Sequence, residues 1–197
     1  MIMAIQFSRF WAMPSADTFD CEPIKGFVQK YLMKSKVSVD PFSRNKRWAT
    51  YTNDLNPNTA AESHTTAVEF LESIKTKGVV TDLIIFDPPY SPRQVKEVYE
   101  SIGKKFEIED QWNTGRWTRE RELIAALCPK GIVLSFGWNT QGVGKKNGFD
   151  PIEILMVCHG GAHNDTICMA ERRMDKHPDL FSHSPANQTV NKVTKTE

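Results

Sequence analysis

Asp82-Leu83-Ile84-Ile85-Phe86-Asp87-Pro88-Pro89-Tyr90 is a short apolar run that stops abruptly at an acid, two prolines and an aromatic ring. A run of this kind, bounded by turn formers, fits a strand from Asp82 to Asp87 that is buried on both faces, the habit of parallel sheets. Proline cannot donate to a ladder, so the strand must end here. In an open α/β sheet, ligands bind beyond the carboxyl ends of the strands, which places Asp87 to Tyr90 where a site would lie. Two successive prolines fix the backbone and hold the flanking side chains and carbonyls rigidly.

Working outward, Val37 to Asp40 and Gly131 to Phe136 are runs of the same type. Helical periodicity lies between the strand runs. Thr65 to Lys75 places Val68, Leu71 and Ile74 on one face, and Gln94 to Ile102 does the same with Val95, Val98, Tyr99 and Ile102. Thr118 to Leu127 is a third amphipathic segment, stopped by Cys128-Pro129-Lys130-Gly131. Strands alternating with helices predict a doubly wound α/β architecture around a mostly parallel sheet. Glu153 to His159 and Asp165 to Arg172 read as two further strands about Gly160-Gly161, an antiparallel hairpin expected at the sheet edge. One domain over residues 1–175 is expected, followed by a polar tail, 176–197, whose composition predicts disorder.

In 197 residues, 25 Lys and Arg nearly cancel 24 Asp and Glu, so any contact with a polyanion must come from a local patch. No run is long and apolar enough to span a membrane and the start lacks a secretory pattern, so a cytoplasmic protein without membrane contact is expected. Cys21, Cys128, Cys158 and Cys168 lack the spacing of a metal site and read as reduced, largely apolar positions.

The residue types at 87–90 suit methyl transfer to an sp² amino group, whose lone pair is delocalised. The Asp87 carboxylate and the Pro88 carbonyl can each accept one amino hydrogen, which favours charge build-up on nitrogen, while Tyr90 stacks on the ring. A strand followed by a rigid turn is the plainer reading of the same residues. The segment resembles the catalytic motif of the amino-group DNA methyltransferases, in which a strand ends in Asp/Asn/Ser-Pro-Pro-Tyr/Phe and the Asp form is typical of adenine N6 enzymes. The resemblance implies a Rossmann-like class I methyltransferase sheet in a small member of phage or prophage type. It also implies S-adenosylmethionine as methyl donor and adenine N6 as target, with cytosine N4 the alternative. The DNA would be a duplex with a flipped base or a single strand.

Elsewhere the resemblance is looser. Val37-Ser38-Val39-Asp40-Pro41-Phe42-Ser43-Arg44-Asn45 matches the family's donor strand and turn, and implies donor contacts from Asp40, Pro41, Phe42, Ser43 and Asn45. The family's glycines are replaced by Ser43-Arg44-Asn45, of which Asn45 is best suited to a left-handed turn. Thr50 to Pro57 matches the next strand, with Asp54 as ribose acceptor beside Leu55 and Asn56, or as a simple turn acid. Thr66 takes the place of the acid that contacts the donor's adenine, and is equally suited to capping a helix. Met13 to Ile24 resembles the family's N-terminal donor loop, which implies Pro14, Thr18 and Phe19 as contacts before a helix from Ile24 to Leu32.

At this length no separate recognition domain is expected. Lys104 to Arg121 is the expected substitute, in which Lys105, Arg116 and Arg119 would hold phosphates and Trp117 would stack, unless it is a solvated loop anchored by its tryptophans. The glycine-rich stretch 136–148 reads as a mobile loop beside Asp87, with Trp138 closing the base pocket and Lys145 and Lys146 on phosphate, or as a plain surface loop. His159, His163 and Asp165 suit a hairpin turn better than a metal site. A partner subunit or a homodimer is a possible source of sequence recognition. RNA or a small amine as substrate, and a module that binds donor or DNA without turnover, stay as rival readings.

Overall fold

The computed structural model describes residues 4–103, 117–161 and 163–174. They form one seven-stranded sheet: β1 (Gln6–Trp11), β2 (Ser38–Asp40), β3 (Tyr51–Thr52), β4 (Leu83–Phe86), β5 (Ile132–Gly137), β6 (Phe149–Cys158) and β7 (Thr166–Arg173). The strands lie in the order β1-β6-β7-β5-β4-β2-β3. Six run parallel, and β7 is antiparallel to both of its neighbours. This is the predicted doubly wound α/β class with an antiparallel C-terminal hairpin. The hairpin is not at the edge, however, because β1, a strand that sequence patterning misses, pairs along β6 and takes that place.

Four helices cover the sheet among the described residues: α1 (Glu22–Leu32), α2 (Ala67–Thr76), α3 (Pro92–Ser101) and α4 (Thr118–Leu127). On one face Ile24, Phe27, Val28 and Tyr31 of α1 pack on Leu83, Ile85, Leu134 and Val157. On the other, Phe70, Leu71 and Ile74 of α2 and Leu123, Ile124 and Leu127 of α4 pack on Ile84, Phe86 and Val133. Leu83 to Phe86 is buried throughout, as its unbroken apolar run requires. Local chemistry sets the helix starts. Thr66 and Glu69 form a reciprocal capping box ahead of α2, and the Ser91 side chain accepts from the Gln94 amide with Pro92 at the first turn of α3.

Two crossovers depart from a helix-covered plan. Residues 41–50, between β2 and β3, contain no helix. Residues 138–148 carry the chain from the end of β5 back to the start of β6 with only a single 3₁₀ turn, Lys145–Asn147. The buried Glu171 carboxylate pins that crossover. Its Oε2 accepts from the Val143 amide (2.8 Å) and the Ser135 hydroxyl (2.7 Å), and its Oε1 from the Gly144 amide (2.8 Å). The stretch expected to be a mobile loop beside Asp87 is therefore strapped across the sheet.

All four cysteines are buried and unbridged, and no helix among the described residues is long and apolar enough to cross a membrane.

Candidate functional site

The chain runs outward from β2 to β3 on one side, then returns to β4 on the other, so the strand order reverses between β2 and β4. A cleft forms outside the carboxyl ends at such a point. The structure has a cavity of about 580 Å³ there, lined from four directions: Pro41, Phe42, Arg44 and Asn45 after β2; Asp54, Leu55 and Asn56 after β3; Thr66 at the head of α2; and Asp87, Pro88, Pro89 and Tyr90 after β4. Thr18, from a 3₁₀ turn capped by Asp17, Trp117 and Glu120, about the start of α4, and residues of α3 such as Gln94 and Val98 also line it.

Asp87 faces the cavity within dense protein, and burial raises its pKa to about 6, while donation by the Tyr90 and Thr18 hydroxyls pulls the other way. The Tyr90 hydroxyl thus serves the carboxylate, and its ring meets Trp138 edge-on at 5.7 Å. The Tyr90 amide donates to Gln94 Oε1 at 2.6 Å, which fixes the turn on the first helical turn of α3. Asp17, Asp40 and Asp54 lie near enough to act on one another or on Asp87, and Arg44 acts on Asp87 with the opposite sign.

Asp54 Oδ2 accepts from the Arg44 amide (3.1 Å) and Oδ1 from the Asn56 amide (2.8 Å), which shapes the rim while leaving each oxygen a further lone pair. Thr66 Oγ1 lies on the rim but is engaged in the capping box with Glu69. Asn53, which sequence reasoning passed over, is the hidden fastener. Its buried amide donates to the carbonyls of Pro41 (3.2 Å) and Thr65 (3.0 Å) and accepts from the Thr65 amide (3.1 Å), joining three of the lining segments.

Several sequence expectations are corrected. Asp40 lies sealed beneath the cavity at 1% exposure, accepts from the Phe42 amide, and is pushed well above the usual carboxylate range by burial, so it shapes the turn without reaching a ligand. Ser43 is equally buried and bonds to the Asn53 carbonyl. Phe19 is core, stacked near Trp48 and edge-on to Phe136, and Pro14 does not line the cavity. The left-handed residue of the turn after β2 is Arg44, at φ 50°, rather than Asn45, whose Oδ1 accepts from the Ala60 amide.

The basic residues are dispersed. Lys105 and Arg116 lie outside the described residues. Arg119 is exposed but paired with Glu72 (2.8 Å) and Glu122 (3.5 Å). Lys145 pairs with Asp150 (3.3 Å) at the start of β6, and with Lys146 it lies at the opposite end of the sheet from Asp87, because the crossover has carried both away. Trp117 turns inward instead of toward a polyanion, packing edge-on to Phe42 at 5.3 Å. Both ring nitrogens of His159 are engaged, by the Ala12 carbonyl and the Thr166 hydroxyl, and Asp165 accepts from the His159 amide. No group of His, Cys, Asp and Glu suited to a metal ion occurs among the described residues.

One lining residue lacked any sequence signal. Glu120, one turn into α4 from Trp117, lines the cavity; burial raises its pKa, while its own backbone amide and the Arg121 guanidinium pull the other way.

No protein-family model matches the sequence, and no curated protein matches it. Among solved structures the chain resembles SMU.776 in complex with SAH, with a TM-score of 0.49 and 11% identity over 74% of this chain and 48% of that one. It resembles a methyltransferase homologue from Pyrococcus horikoshii with a TM-score of 0.45 and 11% identity over 71% of this chain and 62% of that one. A third likeness is to TrmN from Thermus thermophilus, with a TM-score of 0.42 and 14% identity over 77% and 49% of the two chains. The chain thus spans between 48% and 62% of the length of these three structures.

Proposed function

We propose that the chain transfers a methyl group from S-adenosylmethionine to the exocyclic amino group of a nucleobase, adenine N6 in DNA being the favoured target. One observation carries this reading: a single cavity at the strand-order reversal is shared by Asp87-Pro88-Pro89-Tyr90 and by the acid and turn residues after β2 and β3.

The lining fits such a donor. Aromatic Phe42 and Trp117 offer an apolar wall, and Asp54 a pair of acceptors for ribose hydroxyls. Glu120 is the acceptor for the donor's adenine amine, the part expected of Thr66, whose hydroxyl is committed to the helix cap. The donor when bound supplies an activated methyl on a sulfonium, which departs as a neutral thioether when the amino nitrogen takes the methyl.

The protein's part is positioning and charge. Asp87 and the Pro88 carbonyl accept the two amino hydrogens and aim the nitrogen lone pair. The positive charge that develops on nitrogen is stabilised by the Asp87 carboxylate, and a proton leaves through it. Trp138, 42% exposed and against Tyr90, would meet a flipped or unpaired base beside Tyr90.

The test is transfer of labelled methyl from S-adenosylmethionine to duplex and single-stranded DNA by the purified protein, with nucleosides resolved by mass spectrometry. N6-methyladenine supports the proposal. N4-methylcytosine moves the target, label on RNA alone moves the substrate class, and donor binding without label transfer to any nucleic acid refutes catalysis.

A further inference from the structure

Five of the eight large apolar side chains that stand exposed among the described residues fall within nine consecutive positions: Ile5, Phe7, Phe10, Trp11 and Met13. Their exposures run from 46% to 75%. Isolated exposed hydrophobics need no explanation, but a run of them on one strand does. That strand is β1, paired on one side with β6 and at the sheet edge on the other. It carries no proline, no lysine and no bulge, and among the devices that blunt an edge it has only the charge of Arg9.

We infer that β1 pairs antiparallel with β1 of a second copy of this chain, joining two sheets edge to edge about a two-fold axis. Three observations select this occupant. Side chains alternate across a strand, so Phe7 and Trp11 lie on one face and Phe10 on the other. A partner stacked on one face would leave the other wet, whereas an added strand flanks both. The second is area. A stable interface buries about 800 Å² per partner, a little over half of it apolar. These side chains, at their exposures, supply roughly 500 Å² of apolar surface, given the 150–250 Å² that each aromatic carries.

The third is self-complementarity. The Ala12 amide donates to the Cys158 carbonyl, so the even-numbered residues bond to β6 and the backbone groups of Phe7, Arg9 and Trp11 point to the free edge. A two-fold centred on Ser8 pairs the full strand, setting Phe7 against the second copy's Arg9 and Ile5 against its Trp11. The guanidinium, whose Nε donates to Cys158 Sγ (3.2 Å) and which lies 5.3 Å from its own Trp11 ring, then borders the second copy's Phe7. Centring on Arg9 would oppose two like charges, which disfavours that register. In the favoured register Ser8 meets its own copy at a non-hydrogen-bonded pair, where the two chains come closest.

Sedimentation and light scattering of the full chain should give twice the 22.4 kDa monomer mass at micromolar concentration. Arg9→Pro removes an outward amide without touching the β6 ladder. It should return the protein to monomer with a thermal transition within a few degrees of the parent, and Phe7→Lys should do the same. Under mild oxidation Ser8→Cys should yield a covalent dimer and Gln6→Cys should not, since Gln6 faces Phe10 of the second copy. A monomer up to about 100 µM overturns the inference, and protection of the Phe7 and Arg9 amides in that monomer would assign the edge to another occupant. A dimer unchanged by Arg9→Pro and Phe7→Lys, with no Ser8 cross-link, overturns it as well.

Discussion

The Tyr90 hydroxyl donates to the Asp87 carboxylate across the turn that ends β4, so the two functional groups of the motif are partners before any ligand arrives. Burial alone favours the protonated acid; the hydroxyl restores part of the carboxylate character, leaving the group at a pKa of about 6. Asp87 is therefore mostly ionised near neutrality, the state that can accept an amino hydrogen.

Methylation should accordingly fall on the acid side as Asp87 protonates near pH 6. Tyr90→Phe removes a hydrogen bond that favours the ionised form, so the Asp87 pKa rises and the acid limb moves to higher pH. A bond to a charged group contributes roughly 1.5–3 kcal/mol, enough to cost about 4- to 40-fold in rate at pH 6.5 with a smaller loss above pH 8. A pH profile of kcat/KM with unchanged limbs would remove Tyr90 from this part.

Asp87→Ala should lower kcat roughly a hundred- to a thousandfold while donor affinity stays within about twofold, because the carboxylate acts on the amino group whose charge changes in the transition state. Asp54→Ala should do the reverse, weakening donor binding first. Calorimetry alongside single-turnover rates separates the two. Equal effects of both substitutions on binding would show that the carboxylates do not divide the cavity as proposed.

Glu120→Ala should weaken S-adenosylhomocysteine binding by about tenfold, the scale of one buried hydrogen bond, with kcat nearly unchanged at saturating donor. Glu120→Gln keeps one acceptor and should recover part of the affinity. An affinity unaffected by either substitution would place the adenine elsewhere.

What the sequence reveals here is what neighbours in sequence decide. Leu83 to Phe86 is apolar without a break and runs into Asp87 and two prolines, so the strand, its burial and its cavity-lining end can be read locally, as can α4 with its start at Thr118. Strand β1 escapes because an edge strand need not alternate, and Phe10-Trp11 breaks the period of two. The path of residues 138–148 depends on Glu171, distant along the chain, so glycines that read as slack are held taut. Trp117 reads as a stacking platform beside arginines, yet Phe42 draws it inward. Arg44 takes the left-handed turn against its own preference, with its amide on Asp54 and its guanidinium on the Ala16 carbonyl (2.9 Å).

That strap yields the last prediction. A Cβ on Gly142, at φ 49°, would sit 2.3 Å from Glu171 Oε2 and 2.4 Å from the Met169 methyl, inside any tolerable contact. Gly142→Ala must therefore displace the carboxylate that holds the Val143 and Gly144 amides, in a backbone conformation that alanine resists. Glu171→Ala removes the same three bonds from the other side and leaves two amides and the Ser135 hydroxyl to find new partners. Leaving buried donors unsatisfied costs about 1–3 kcal/mol each, offset in part because the strap can move to water. Each variant should lose about 2–3 kcal/mol, a fall in Tm of about 4–12 °C for a chain of this size. The two losses should not add in the double variant, since both break one contact. Donor affinity should persist in whatever fraction stays folded, because the strap runs away from the cavity. Independent, additive losses would mean that Gly142 and Glu171 do not act through each other.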